Sequence, residues 1–128
     1  MVIDTSVMVA IMLHEPDAPK LLAKMADAKT RITSACSYME MSMVVIARRG
    51  EEAAGDIDRA LYEANVAIVP ISVQLAKIAR DAFIRFGKGR HPAGLNFGDC
   101  FSYALALQTN STLLFKGNDF SKTDIRVA

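Results

Sequence analysis

Tryptophan is absent, and only two cysteines, Cys36 and Cys100, occur in 128 residues. Two thiols in apolar stretches are too few for a disulfide scaffold, so both are expected as reduced core residues of a cytosolic protein. Internal repeats, low-complexity tracts and long linkers are lacking too, and nothing divides the chain. An excess of one charge is also missing: 15 Lys+Arg against 14 Asp+Glu leave +1. No global field therefore draws the chain to nucleic acid or membrane, and a polyanion would have to be met by a local patch or a bound metal. No apolar run reaches the roughly 18 residues of a membrane span. The chain opens Met1-Val2-Ile3-Asp4 without a basic leader, so no secretory signal is read there and a soluble, cytoplasmic protein is expected.

What the sequence does have is apolar content, 52 % of residues, enough to bury the core of one domain spanning 1–128. Prolines and glycines cut it into short alternating pieces. Val2-Ile3 reads as a strand ending at Asp4, followed by a helix through Val7–Leu13. Pro16–Asp27 reads as a second helix with proline near its first turn, where a missing N–H is harmless. Arg31-Ile32-Thr33 is β-prone, and Ser34 can cap a long helix to about Arg49. Asp56–Asn65 has helical spacing, Val66–Ile71 reads as a buried strand, and Ser72 can cap the helix after it. A Gly-rich basic loop precedes a helix from about Asn96 to Gln108, then come a strand at Leu113–Phe115 and a further candidate at Ile125–Val127. Strands alternating with helices predict an α/β fold with a parallel sheet covered on both faces. Ligands of such sheets gather at the carboxyl ends of the strands.

Four acids stand out by position. Glu40 is the only charge between Ile32 and Ala47, and Asp99 the only one between Pro92 and Phe115. A lone charge in an apolar stretch needs a reason. Asp99 also has a plain one, since Asn96 as N-cap would place it where a helix dipole favours a carboxylate. Asp4, at the end of the first apolar run, can likewise be a cap, and Asp119 in Lys116-Gly117-Asn118-Asp119-Phe120 can be an ordinary turn residue. Taken together, the four come from separate elements of one parallel sheet. Carboxylates crowded in a dry cleft repel unless a cation neutralises them. Oxygen-only ligands suit Mg²⁺ or Mn²⁺, and such a site can hydrolyse a phosphodiester.

These residues carry a family resemblance. The opening Met-Val-Ile-Asp-Thr-Ser, the Ser-Tyr-Met-Glu helix, the stretch from Gly87 to Ala106 containing Leu-Asn-Phe-Gly-Asp-Cys-Phe, and the ending Leu-Leu-Phe-Lys-Gly-Asn-Asp-Phe resemble PIN-domain proteins. More narrowly, the chain is similar to VapC-type toxins of bacterial type II toxin–antitoxin modules. The resemblance implies a three-layer α/β/α sandwich with a central parallel sheet. It implies a Mg²⁺- or Mn²⁺-dependent endoribonuclease, usually a homodimer, inhibited by a VapB-type antitoxin. It maps the family's acids onto Asp4, Glu40, Asp99 and Asp119, with Asp4 and Asp99 the direct metal ligands and Glu40 and Asp119 completing the site or acting through water. The pattern departs from the family near the end, where Phe115 and Gly117 stand in place of a common Thr and an Asp or Asn.

Around this candidate site, Thr5 and Ser6 can orient Asp4 or simply satisfy helix-start backbone groups. Lys88 and Arg90, in the loop shared with His91, can contact RNA phosphates or form a solvated loop. The methionines Met39, Met41 and Met43 read as core filler or as a partner surface. Two other functions compete with the nuclease. A receiver-like signalling domain would share the fold order and an acidic Mg²⁺ pocket, with Lys116 as its lysine, but Val69-Pro70-Ile71-Ser72 lacks the phosphoacceptor Asp. A non-catalytic binding module is the other. An Asp-x-Asp phosphatase is disfavoured because Ser6 stands where the second Asp belongs.

Overall fold

A computed structural model describes residues 1–128. Four parallel strands, β1 (Val2–Ile3), β2 (Arg31–Ser34), β3 (Val66–Val69) and β4 (Leu113–Leu114), lie in the order β3-β2-β1-β4. Val2 is in register with both Ile32 and Leu113, and Ile3 with Leu114. Successive strand residues point to opposite faces, so Val2 and Leu113 enter one apolar core while Ile3 and Leu114 enter another. The helices α1 (Thr5–Met12), α2 (Ala18–Ala26), α3 (Ala35–Arg49) and α4 (Ala53–Glu63) fill the second core. The helices α5 (Val73–Phe86) and α6 (Phe97–Gln108) fill the first. The result is the parallel sheet covered on both faces that the alternation predicted, and the three-layer α/β/α arrangement that the resemblance implied.

Polar caps set where the helices begin. Asp4 caps α1, Ser34 caps α3, Ser72 caps α5 and Asn96 caps α6, each accepting a backbone N–H from the first turn. Such a cap is worth about 0.5–2 kcal/mol. Asp4 and Ser34 lie at the carboxyl ends of β1 and β2, so the helices launched from those strands start at the edge where ligands gather. Gly50, with a φ of 91°, ends α3 in a conformation that glycine adopts without strain.

Three expectations need correction. Val66–Ile71 was expected as a buried strand, but β3 stops at Val69 and forms the sheet edge, with Ala67 and Ile68 exposed. An apolar run does not reveal whether a second neighbour will pair with it; Pro70 ends this one and blunts the edge. The helix expected at Asp56 starts at Ala53 and includes Gly55, which meets no neighbour. Ile125–Val127 forms a single bridge to Leu113 rather than a strand. Even so, the Leu113 N–H donates to the Arg126 carbonyl and the Ala128 N–H to the Leu113 carbonyl, which covers the outer side of β4. Asp124 fastens this tail by accepting from Arg85 Nη2 at 2.7 Å and from the buried Tyr103 hydroxyl at 2.6 Å. Both cysteines are free thiols; Cys100 is buried and Cys36 half-buried. No helix is long and apolar enough to cross a membrane.

Candidate metal centre

Asp4 follows β1 directly and is 5 % exposed. Its Oδ2 accepts from the Ser6 N–H at 3.0 Å and from the Ser6 hydroxyl at 2.6 Å, and its Oδ1 accepts from the Ser102 hydroxyl at 2.6 Å. Ser6 Oγ in turn accepts the Lys116 N–H at 3.0 Å, tying the segment after β4 to the same point. On the other side, Ser102 and Ser37 hydroxyls are 3.3 Å apart, and Ser37 and Ser34 hydroxyls 3.0 Å apart. A chain of hydroxyls, buried at Ser34, Ser37 and Ser102 and half-buried at Ser6, thus runs from the end of β2 to the segment after β4, with Asp4 in its middle. A buried carboxylate with this many donors is fixed in direction.

Asp99 lies in the first turn of α6. Its Oδ2 accepts the Asn96 N–H at 3.0 Å, while its own N–H donates to Asn96 Oδ1 at 2.8 Å, a reciprocal capping box. Oδ1 accepts no hydrogen bond. Burial raises the Asp99 carboxyl to about 7, the charges of Asp4, Asp119 and Glu40 push the same way, and the Asn96 N–H opposes them. Glu40, half-buried on α3, lies against the first turn of α6 at Gly98. Asp119 opens a single 3-10 turn (Asp119–Lys122) and is exposed. The structure therefore brings the other three acids near enough to Asp99 for their charges to act on it.

The donors available here are carboxylate and hydroxyl oxygens; the neighbouring Cys36 and Cys100 thiols are pushed up chiefly by burial and also by Glu40 and Asp99, so they stay protonated and leave the chemistry of a hard divalent ion such as Mg²⁺ or Mn²⁺. No three Asp, Glu, His or Cys side chains anywhere in the molecule are drawn together tightly enough to grip one ion by themselves. Like charges stand off from one another, so a site of this kind fits an ion that keeps several of its waters. The residues fit the group in donor type, with water supplying the ligands that the side chains do not.

Other expected features fall elsewhere. Lys116 pairs with Glu15 and Asp17, not with the acid cluster. With β3 at the edge and no acid at its end, the receiver-like reading loses both its lysine and its phosphoacceptor. Thr5 Oγ1 donates to the Ser37 carbonyl at 3.4 Å, whereas Ser6 holds Asp4. Arg90 is committed to α5, its Nε donating to the Ile84 carbonyl at 3.2 Å and its guanidinium lying over Phe83; Lys88 is exposed without a side-chain partner. Met39 and Met43 are exposed on α3 and only Met41 is core. Ser102 was missed from the sequence. The signal that could have found it is its spacing, one helical turn beyond Asp99 and so on the same face.

The family model of the PIN domain matches residues 1–126. A ribonuclease VapC from Mycolicibacterium smegmatis is 50 % identical over 125 residues, which is 98 % of this chain and 97 % of that protein. Among solved structures, Mycobacterium tuberculosis VapC20, described as a toxin cleaving the sarcin–ricin loop, superposes with a TM-score of 0.81 at 18 % identity, covering 99 % of this chain and 97 % of that one. The toxin–antitoxin complex VapBC2 from Rickettsia felis, bound to a DNA fragment from its promoter, contains a chain that matches with a TM-score of 0.76 at 16 % identity, over 98 % of this chain and 94 % of that one. At such identities these two structures speak for the fold.

Proposed function

The chain belongs to the PIN-domain family and, within it, to the VapC ribonucleases, and from that premise we propose that it is a Mg²⁺- or Mn²⁺-dependent endoribonuclease, the toxin of a type II toxin–antitoxin pair. What supports the reading is the neighbourhood of Asp99: the Asp4 carboxylate is bonded to Ser102 one turn along α6, the Glu40 carboxylate lies against Gly98, and Asp119 is near enough for its charge to act on Asp99. Asp4 and Asp99 would hold the ion, Asp99 through the oxygen its capping box leaves open, with Glu40 and Asp119 acting through water. When bound, the ion supplies a Lewis acid that activates water and offsets charge on the phosphoryl oxygens. The chain's own part is orientation. Ser6 and Ser102 aim the Asp4 carboxylate, the Asn96 N–H aims Asp99, and the hydroxyl chain behind them keeps that geometry rigid. The amino ends of α1 and α6 carry Asp4 and Asp99, and the helix dipoles favour those carboxylates. No histidine or lysine base is needed.

The partners follow from the same reading: RNA as substrate, with Lys88 and Arg90 near its phosphates, a VapB-type antitoxin as inhibitor, a second copy as homodimer, and the cytoplasm as the place of action. The purified chain with Mn²⁺ is expected to cleave RNA, and both chelation and Asp99→Asn to lower the rate by about 100-fold or more. Undiminished cleavage by Asp99→Asn in chelator would overturn the proposal. Sequencing RNA ends in cells expressing the chain alone, with and without a co-expressed antitoxin, identifies the target and tests the pairing.

A further inference from the structure

Gly98 is buried in the first turn of α6, between Phe97 and Asp99. Its backbone is helical, without the positive φ found at Gly50, Gly89, Gly94 and Gly117. Conformation therefore does not call for glycine here, and glycine is a poor helix former, with only proline less favourable. The reason lies across the helix pair. A Cβ on Gly98 would come within 2.7 Å of Glu40 Cδ and Oε1 and closer still to Oε2. Contacts under 3.0 Å at Cβ do not occur, so one of the two would have to move. Of these, the Glu40 carboxylate is the end of a flexible side chain, whereas position 98 is fixed by the α6 capping box on either side of it. Glycine elsewhere in a helix shows the contrast: a Cβ on Gly55 meets nothing within 4 Å.

We infer that Gly98 is a positioning residue, whose missing side chain seats the Glu40 carboxylate against the first turn of α6 and so inside the acid cluster. Its consequence for metal rests on the divalent-ion site proposed above; the seating itself does not. A single methyl at this position displaces Glu40 while leaving every acid of the site in the sequence.

The test is a double-mutant cycle of Gly98→Ala and Glu40→Ala on the full chain, read in two ways. In chelator, thermal unfolding reads the seating. A methyl in a helix ordinarily raises Tm. That rise is expected in full in the Glu40→Ala background, where the methyl has room, and reduced or reversed when Glu40 is present. An equal shift in both backgrounds overturns the inference. With Mn²⁺, electron paramagnetic titration reads affinity. Gly98→Ala is expected to weaken binding about 10-fold or more in the wild-type background and to add nothing on top of Glu40→Ala. Unchanged Mn²⁺ affinity in Gly98→Ala overturns the inference as well. A wild-type protein that ignores Mn²⁺ overturns the metal reading alone, because the chelated cycle still decides whether Gly98 seats Glu40.

Discussion

Burial does most to raise the Asp99 carboxyl to about 7, with the charges of Asp4, Asp119 and Glu40 adding to it, against about 3.9 for an aspartate in an unfolded chain. The sign of the consequence is fixed by proton counting. Between about pH 4 and about 7 the unfolded chain has released this proton and the folded chain still holds it, so the folded state binds more protons and stability falls as pH rises through that window. In chelator, wild type should lose stability relative to Asp99→Asn as the pH is raised from 4 to 7, measured by denaturant titration at each pH. A constant difference would mean that Asp99 ionises normally. From the sequence, Asp4 and Asp99 each had two readings, helix cap or site acid. Both residues act as caps in the structure, and both still sit in the cluster. A carboxylate has two oxygens: in Asp99, Oδ2 serves the cap and Oδ1 accepts no hydrogen bond.

At the scale of elements, α6 carries Asp99 and Ser102 one turn apart, and through the Ser102 hydroxyl it reaches the Asp4 carboxylate after β1. Ser102→Ala removes one donor from a buried acid without removing any acid. The expected outcome is a loss of about 10–100-fold in cleavage or Mn²⁺ affinity, as for outer partners of metal ligands, with a stability cost of about 1–3 kcal/mol for the oxygen left unpaired. Parallel assays of rate and of denaturant midpoint separate the two; a stability loss with full activity would reduce Ser102 to a packing residue. The helices and strands were legible because apolar spacing and caps are local properties: Ser34, Ser72 and Asn96 each mark a helix start that the structure keeps. The place of β3 was not, because Val66–Val69 is as apolar as a central strand and pairing with one neighbour or two is decided elsewhere in the chain. Ser102, marked only by its spacing from Asp99, and Gly98 were hard to read for a related reason. A small residue in an apolar helix looks like ordinary packing until the partner across the sheet edge, Asp4 or Glu40, is in place.

For the whole molecule, the balance of +1 hides an uneven distribution. Asp4, Glu40 and Asp119 act together on Asp99, so at the proposed site a polyanionic substrate would be repelled unless an ion is bound there. Net charge offers no compensation, and long-range attraction to RNA should be weak. Binding must then come from few phosphate contacts, and the salt dependence of affinity counts them, with a slope of about 0.7 per contact for a single strand. Lys88, exposed and without an internal partner, is the cation of its loop best able to contribute one; Arg90 is held by the Ile84 carbonyl and Phe83. In an Asp99→Asn background, where cutting is expected to be about 100-fold slower or more, Lys88→Ala should lower the slope by about 0.7 and weaken binding alike for every RNA sequence tried. Retention of the full slope would place the phosphate path elsewhere on the surface. Weakening confined to certain sequences would instead make Lys88 a reader of bases.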